Sequence, residues 1–155
     1  MEFRVKKMAT IKRFEELEIW KKARKLCALI FTFVKKENFS KDYKLINQIN
    51  ASSGSVMDNI AEGFGRRSRN EFVQFLSIAN GSASEVQSQL YRAHDRVYIS
   101  EKEFEEAYKI LDEICAGTNS LMNYLNKSAI KGEKFMNRVN EPEIDYFIEK
   151  IELPF

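Results

Sequence analysis

Ser68-Arg69-Asn70-Glu71-Phe72-Val73-Gln74-Phe75-Leu76-Ser77-Ile78-Ala79-Asn80-Gly81-Ser82-Ala83-Ser84-Glu85-Val86-Gln87-Ser88-Gln89-Leu90 is the stretch from which the fold follows. Ser68 and Glu71 have the spacing of a capping box, in which a hydroxyl and a carboxylate three residues apart satisfy the first free N–H groups of a helix. From Phe72 the apolar positions recur at Leu76, Ala79, Ala83, Val86, Leu90, Ala93 and Val97, in alternating steps of four and three. That alternation is a heptad seam, and it predicts a helix about 39 Å long at 1.5 Å per residue. A helix with a single apolar stripe needs other elements to cover it.

Three further segments supply the cover. Glu15 to Lys36 places Ile19, Trp20, Ala23, Cys27, Ile30 and Val34 on one helical face. After Ser40, read as an N-cap, Ile46, Ile49, Ser53, Met57 and Ile60 follow until Gly63 and Gly65, which are expected to end the helix. Ser100 and Glu103 form a second capping box ahead of Phe104, Ala107, Leu111, Ile114, Thr118, Leu121 and Leu125. Both prolines lie near the C-terminus and leave these segments unbroken. Short connections between long helices favour antiparallel neighbours, so the expected fold is all-α, an antiparallel up-down-up-down four-helix bundle. Residues 1–13 read as a basic N-terminal tail, 14–127 as the bundle, and 128–155 as a flexible C-terminal extension. Within the extension, Lys131 to Asn140 reads as a linker, and Ile144, Phe147, Ile148 and Ile151 as a short amphipathic helix able to dock on the bundle or on a neighbouring subunit.

Charge is distributed unevenly. In a chain that is 31% charged, Ile46 to Met57 and Phe72 to Ser84 contain no Asp, Glu, Lys or Arg, which marks both as contact surfaces rather than solvated faces. Polar stripes run beside their apolar ones: Gln48, Ser52, Ser55, Asn59 and Glu62 on the second helix, and Ser82, Glu85, Gln89, Arg92 and Arg96 on the third. Such stripes are either wet surface or hydrogen-bonded contacts between helices or subunits. The absence of Lys from both favours contact, with Gln48, Ser52, Ser55, Asn59, Glu62, Ser82, Glu85 and Gln89 as the candidate subunit or helix interface.

Little in the sequence supports catalysis. His94 is the one histidine; it lacks the Glu-x-x-His spacing of a di-iron bundle and an activating partner for a nucleophile, and reads as a solvated or hydrogen-bonded helix residue. Cys27 and Cys115 sit in apolar patterns without a CxxC pair and read as reduced core residues of a cytoplasmic protein. Gly63-Phe64-Gly65 lacks the Gly-Lys-Ser/Thr of a phosphate loop. No catalytic residue, metal site or cofactor is expected, and neither a signal peptide nor a membrane span is read in the chain.

A basic surface is the candidate binding site. Residues 1–36 hold eleven Lys or Arg against four Glu, net +7, whereas residues 100–127 hold three against six, net −3. Lys21, Lys22 and Lys25 on the first helix, with Lys35 and Lys36 further along, and Arg66, Arg67 and Arg69 at the turn into the third are placed to neutralise phosphates of RNA or DNA. At that turn the free N–H groups of a helix start also favour an anion. The alternative is a solvated face in which Glu62 and Glu71 pair with the arginines.

From Phe14 to Asn126 the chain resembles the four-helix-bundle proteins named after the intervening sequences of 23S ribosomal RNA, the S23 ribosomal protein-like family. The resemblance is carried by Phe14-x-x-Leu17-x-Ile19-Trp20-Lys21-x-Ala23, by Gln48-Ile49, and by Ser55-x-x-x-Asn59-Ile60-Ala61-Glu62-Gly63-x-Gly65-Arg66-x-Ser68-x-x-Glu71-Phe72-x-x-Phe75-Leu76-x-Ile78-Ala79-x-Gly81-Ser82. Glu85-x-x-x-Gln89-Leu90 continues it. The resemblance implies an antiparallel bundle assembled as a homopentameric ring without known catalytic activity. It also implies kinship with an accessory protein of diversity-generating retroelements that binds nucleic acid and a reverse transcriptase. Asn50 stands where relatives commonly carry Arg, and Asp58 where a small residue is usual. The expected function is therefore non-enzymatic: an oligomeric helical-bundle protein that binds structured RNA by backbone contacts. The alternative is a scaffold that recruits a partner protein, such as a reverse transcriptase, without touching nucleic acid; no membrane partner is expected.

Overall fold

A computed structural model describes residues 10–133 and 153–155, with side chains described for 10–127 and 153–155. Four α-helices follow one another: α1 Glu18–Val34, α2 Tyr43–Gly65, α3 Arg69–Asp95 and α4 Glu101–Glu133, with 3-10 turns at Phe14–Glu16 and Phe39–Lys41. α1 packs on α2 and α4, and α3 packs on the same two helices. The chain thus closes the antiparallel four-helix square that its short connections require. No helix among the described residues is long and apolar enough to cross a membrane.

α2, α3 and α4 each begin where a side chain meets a free N–H group. Asp42 caps α2, its Oδ1 accepting from the Leu45 N–H at 3.1 Å. Ser40, the expected cap, lies inside the preceding 3-10 turn and donates to the Glu37 carbonyl at 2.8 Å. Ser68 caps α3 by accepting from the Glu71 N–H. Both arms of the box close on α4: the Glu103 N–H donates to Ser100 Oγ at 3.2 Å, and the Ser100 N–H to Glu103 Oε2 at 2.8 Å.

The ends of α2 and α3 depart from expectation. Among the described residues no glycine has a positive φ, and the left-handed residues are Arg67, at φ 54°, and Val97, at φ 59°. α2 does end at Gly65, as expected, but with helical backbone at both glycines, so Gly63 lies within the last turn and the left-handed step falls on Arg67. What Gly63 provides is space: a Cβ there would lie 2.6 Å from Phe75 Cβ and 2.9 Å from the Phe72 ring. Val97 has left the helix and is 80% exposed, so the seam ends at Ala93 instead.

From Phe72 to Ala93 every seam residue is buried, facing Leu45, Ile49, Val56 and Ile60 of α2 and Ala107, Leu111 and Ile114 of α4 across one core. α1 contributes Ala23, Leu26, Ile30 and Phe33. Cys27 is only half-buried because Leu26 takes the inward position, and its thiol donates to the Ser53 carbonyl at 3.3 Å. Burial pushes both the Cys27 and Cys115 thiols up, which keeps them protonated and unreactive.

α4 continues past the expected bundle boundary, so Ser128 to Glu133, including the first residues of the expected linker, are helical. The short helix expected around Ile144 to Ile151 falls outside the described residues. Leu153 is buried, and the Phe155 ring stands edge-on to Phe64 at 5.5 Å and Phe72 at 6.2 Å, closing the end of the bundle where α2 turns into α3.

Candidate nucleic-acid interface

The two polar stripes meet each other between α2 and α3 of one chain. Arg92 donates to Gln48 Oε1 at 3.0 Å, and the Ser52 hydroxyl bonds Gln89 Oε1. Ser55 and Ser82 share a hydrogen bond of 2.8 Å, and Asn59 Nδ2 donates to the Ser55 carbonyl at 2.7 Å. At the far end Arg96 and the Tyr98 hydroxyl both reach Asp42 Oδ2, at 2.6 and 3.1 Å. A run of Ser and Asn lets the backbones approach while every hydroxyl finds a partner, which a row of long apolar side chains would prevent. Glu62 and Glu85 stand outside this seam on exposed surface. The sequence alone offered no pairing for Asp42 with Arg96, because the two lie 54 residues apart. A second polar bridge, from Asn80 to Asn119 and Thr118, joins α3 to α4.

The basic residues gather at the opposite end from Asp42. α1 runs antiparallel to α2, so the start of α1 lies at the same end of the bundle as the α2–α3 turn. Lys21 pairs with Glu18 at 2.8 Å, Lys22 with Glu113 of α4 at 3.4 Å, and Lys25 is exposed. Arg66 pairs with Glu62 at 2.7 Å and lies 5.3 Å from the centre of the Phe75 ring. Arg67 projects from its left-handed backbone into solvent, and Arg69 is half-buried on the first turn of α3. Lys35 and Lys36 are carried to the other end of α1, where Lys35 covers the Phe31 ring and Lys36 pairs with Glu103 at 2.6 Å. Burial opposes ionisation of Glu103, but the Lys36 ammonium and the Ser100 N–H outweigh it and hold the carboxyl below its ordinary range. The structure thus places Lys21 and Lys22 toward the same end of the bundle as Arg66, Arg67 and Arg69, leaves Lys25 near the middle of α1, where the adjacent Cys27 meets Ser53 of α2, and carries Lys35 and Lys36 to the other end.

His94 Nε2 lies 2.6 Å from Glu101, a surface contact across the α3–α4 connection. Among the described residues no group of three His, Cys, Asp or Glu side chains is placed to hold a metal ion.

The architecture of four antiparallel helices, with a glycine-narrowed turn carrying three arginines, coincides with the residues that match a known family model. That model, of the 23S rRNA-intervening sequence protein, matches residues 15–120. The chain belongs to this family. A crystal structure from Bacteroides thetaiotaomicron VPI-5482, of a protein with unknown function from the S23 ribosomal protein family, is similar at a TM-score of 0.62 and 25% identity. The similarity covers 67% of this chain and 97% of that one. No protein of curated function matches the chain. The polar seam from Gln48 to Asn59, its α3 partners and the turn arginines all lie inside the 23S rRNA-intervening sequence protein match, whereas Leu153 and Phe155 lie beyond it.

Proposed function

We propose that the protein binds structured RNA through phosphate contacts at the end of the bundle formed by the start of α1 and the α2–α3 turn. The observation that carries this reading is the placement of Arg66 and Arg67, exposed at a tight turn, on the same end as the exposed Lys21 in a member of a family named for an intervening sequence of ribosomal RNA. The ion pairs made there are solvent-exposed, and such pairs contribute only about 0–1 kcal/mol. Phosphates can therefore displace the carboxylates of Glu18 and Glu62 at little cost. Contacts of this kind position a protein on a nucleic acid without reading its sequence. The protein acts by binding, without a catalytic step, as a cytoplasmic homo-oligomeric ring that repeats the basic end around its axis.

Filter binding to ribosomal RNA at two salt concentrations tests this. Affinity falls with salt, and replacing Arg66 and Arg67 together by Ala lowers the slope of log affinity against log salt by roughly 0.7–0.9 for each phosphate that is no longer neutralised. No binding at low salt, or binding indifferent to salt, removes the reading. A partner protein that stays bound after nuclease treatment, in the absence of any RNA affinity, would put the scaffold alternative in its place. Sedimentation equilibrium reports the ring directly, and a monomeric mass rules it out.

A further inference from the structure

The outer face shared by the end of α3 and the start of α4 is aromatic and acidic, and no part of the proposed RNA contact uses it. Tyr91, half-exposed, stands 4.9 Å from Phe104 and 5.7 Å from Tyr108, while His94 lies 5.3 Å from Phe104. Rings in mutual contact on a surface leave part of their faces open to a further flat group. The row of α4 beside them is acidic. Glu101, Glu105, Tyr108 and Asp112 recur at steps of four, three and four, which places three carboxylates along one row of α4 beside the rings. Asp95, four residues after Tyr91, adds a fourth from α3.

The arginines that α3 carries nearby are committed elsewhere. Arg92 reaches Gln48 and Arg96 reaches Asp42, so both guanidinium groups are turned toward α2 and away from this face. Lys102 and Lys109 of α4 fall about a quarter-turn from the carboxylate row at 100° per residue. Asp112 receives the Gln87 amide at 3.0 Å and Glu101 faces His94, so two of the carboxylates are held beside the rings rather than swinging free. Exposed rings flanked by fixed carboxylates suit a guanidinium, which stacks on an aromatic face while its N–H groups bond carboxylate oxygens. The same negative field repels phosphate, which sets this face apart from the basic end.

We propose that this face is a docking surface for an arginine-bearing basic segment of a partner protein. Tyr91 and Tyr108 supply the stacking surface, and Glu101 and Glu105 supply the charge. Arginine is preferred over lysine because a compact ammonium lacks the planar fork.

Fluorescence anisotropy with a labelled oligo-arginine peptide and the full chain tests the proposal, with an oligo-lysine peptide of equal length as comparator. The arginine peptide binds more tightly; Tyr91→Ala weakens it by about threefold to tenfold, and Glu101→Gln with Glu105→Gln weakens it and flattens its salt dependence. These carboxylates are exposed, so the double variant keeps its thermal midpoint and reads the site rather than the fold. Arg67→Ala, at the other end of the bundle, leaves the peptide affinity unchanged. Equal affinity for the two peptides, or an affinity unmoved by both sets of changes, overturns the proposal. So does a fall in the protein's own sedimentation mass on Tyr91→Ala, which would make a second copy the occupant. RNA binding that survives while peptide binding fails sinks this proposal alone.

Discussion

Gly63 of α2 and Phe75 of α3 touch so closely that the glycine has no room for a side chain: a Cβ at position 63 would lie 2.6 Å from Phe75 Cβ. Because the obstructing atom is itself a Cβ, fixed to its backbone, the contact can open only if the two helices move apart. In an unobstructed helix interior, Ala is favoured over Gly by about 1 kcal/mol; here overpacking of about 1–3 kcal/mol opposes that gain. Gly63→Ala is expected to lower stability in urea unfolding, and Gly65→Ala, with nothing within 4 Å of its Cβ, to leave it unchanged or raise it.

The hydrogen bond between Ser52 and Gln89 is the buried centre of the α2–α3 seam. A double-mutant cycle with Ser52→Ala and Gln89→Leu should return a coupling of about 0.5–1.5 kcal/mol. Ser82, only 7% exposed and bonded to Ser55, lies between two helices of the same chain. Ser82→Lys buries an unpaired ammonium there, so thermal denaturation should show loss of the folded chain itself, by about 2 kcal/mol or more.

Asp42 combines a helix cap with an ion pair. The Leu45 N–H chiefly, then Arg96 and the Tyr98 hydroxyl, favour its charged form and hold its carboxyl below the usual range. Folding is therefore favoured while Asp42 is ionised. That contribution is complete above the unfolded value of about 3.9 and is lost as pH falls through the lowered folded value. Asp42→Asn keeps a competent cap but has no charge to lose. Urea midpoints of the two proteins should differ at pH 7 and converge in acid, whereas Asp42→Ala also loses the cap, costing about 0.5–2 kcal/mol.

Arg67 and Val97 both occupy left-handed backbone that glycine adopts without strain. Each strained position costs roughly 1–2 kcal/mol, so Arg67→Gly and Val97→Gly should both raise the melting temperature. Their effects on RNA should differ. Arg67→Gly removes a proposed phosphate contact and weakens binding at low salt, while Val97→Gly, at the other end of the bundle, leaves it unchanged.

The heptad steps from Phe72 and the two capping boxes were enough to read the all-α class and the antiparallel order, because apolar periodicity and capping are local and survive in one dimension. The same holds for the charge-free segments, whose lack of Lys already pointed to contact. Three features needed the folded chain. Gly63 and Gly65 read alike in sequence as helix stops, yet Gly63 serves a close approach inside α2 while Gly65 is its last residue, and only the packing of Phe72 and Phe75 distinguishes them. The cap of α2 passed from Ser40 to Asp42 because Asp42 also gains Arg96 and Tyr98 from across the bundle. The polar stripes could face solvent, a neighbour or each other, and the register of α2 on α3 set Ser52 against Gln89 and Ser55 against Ser82. Local propensity thus determined which segments are helices, and the burial of their shared faces decided which polar groups had to find one another.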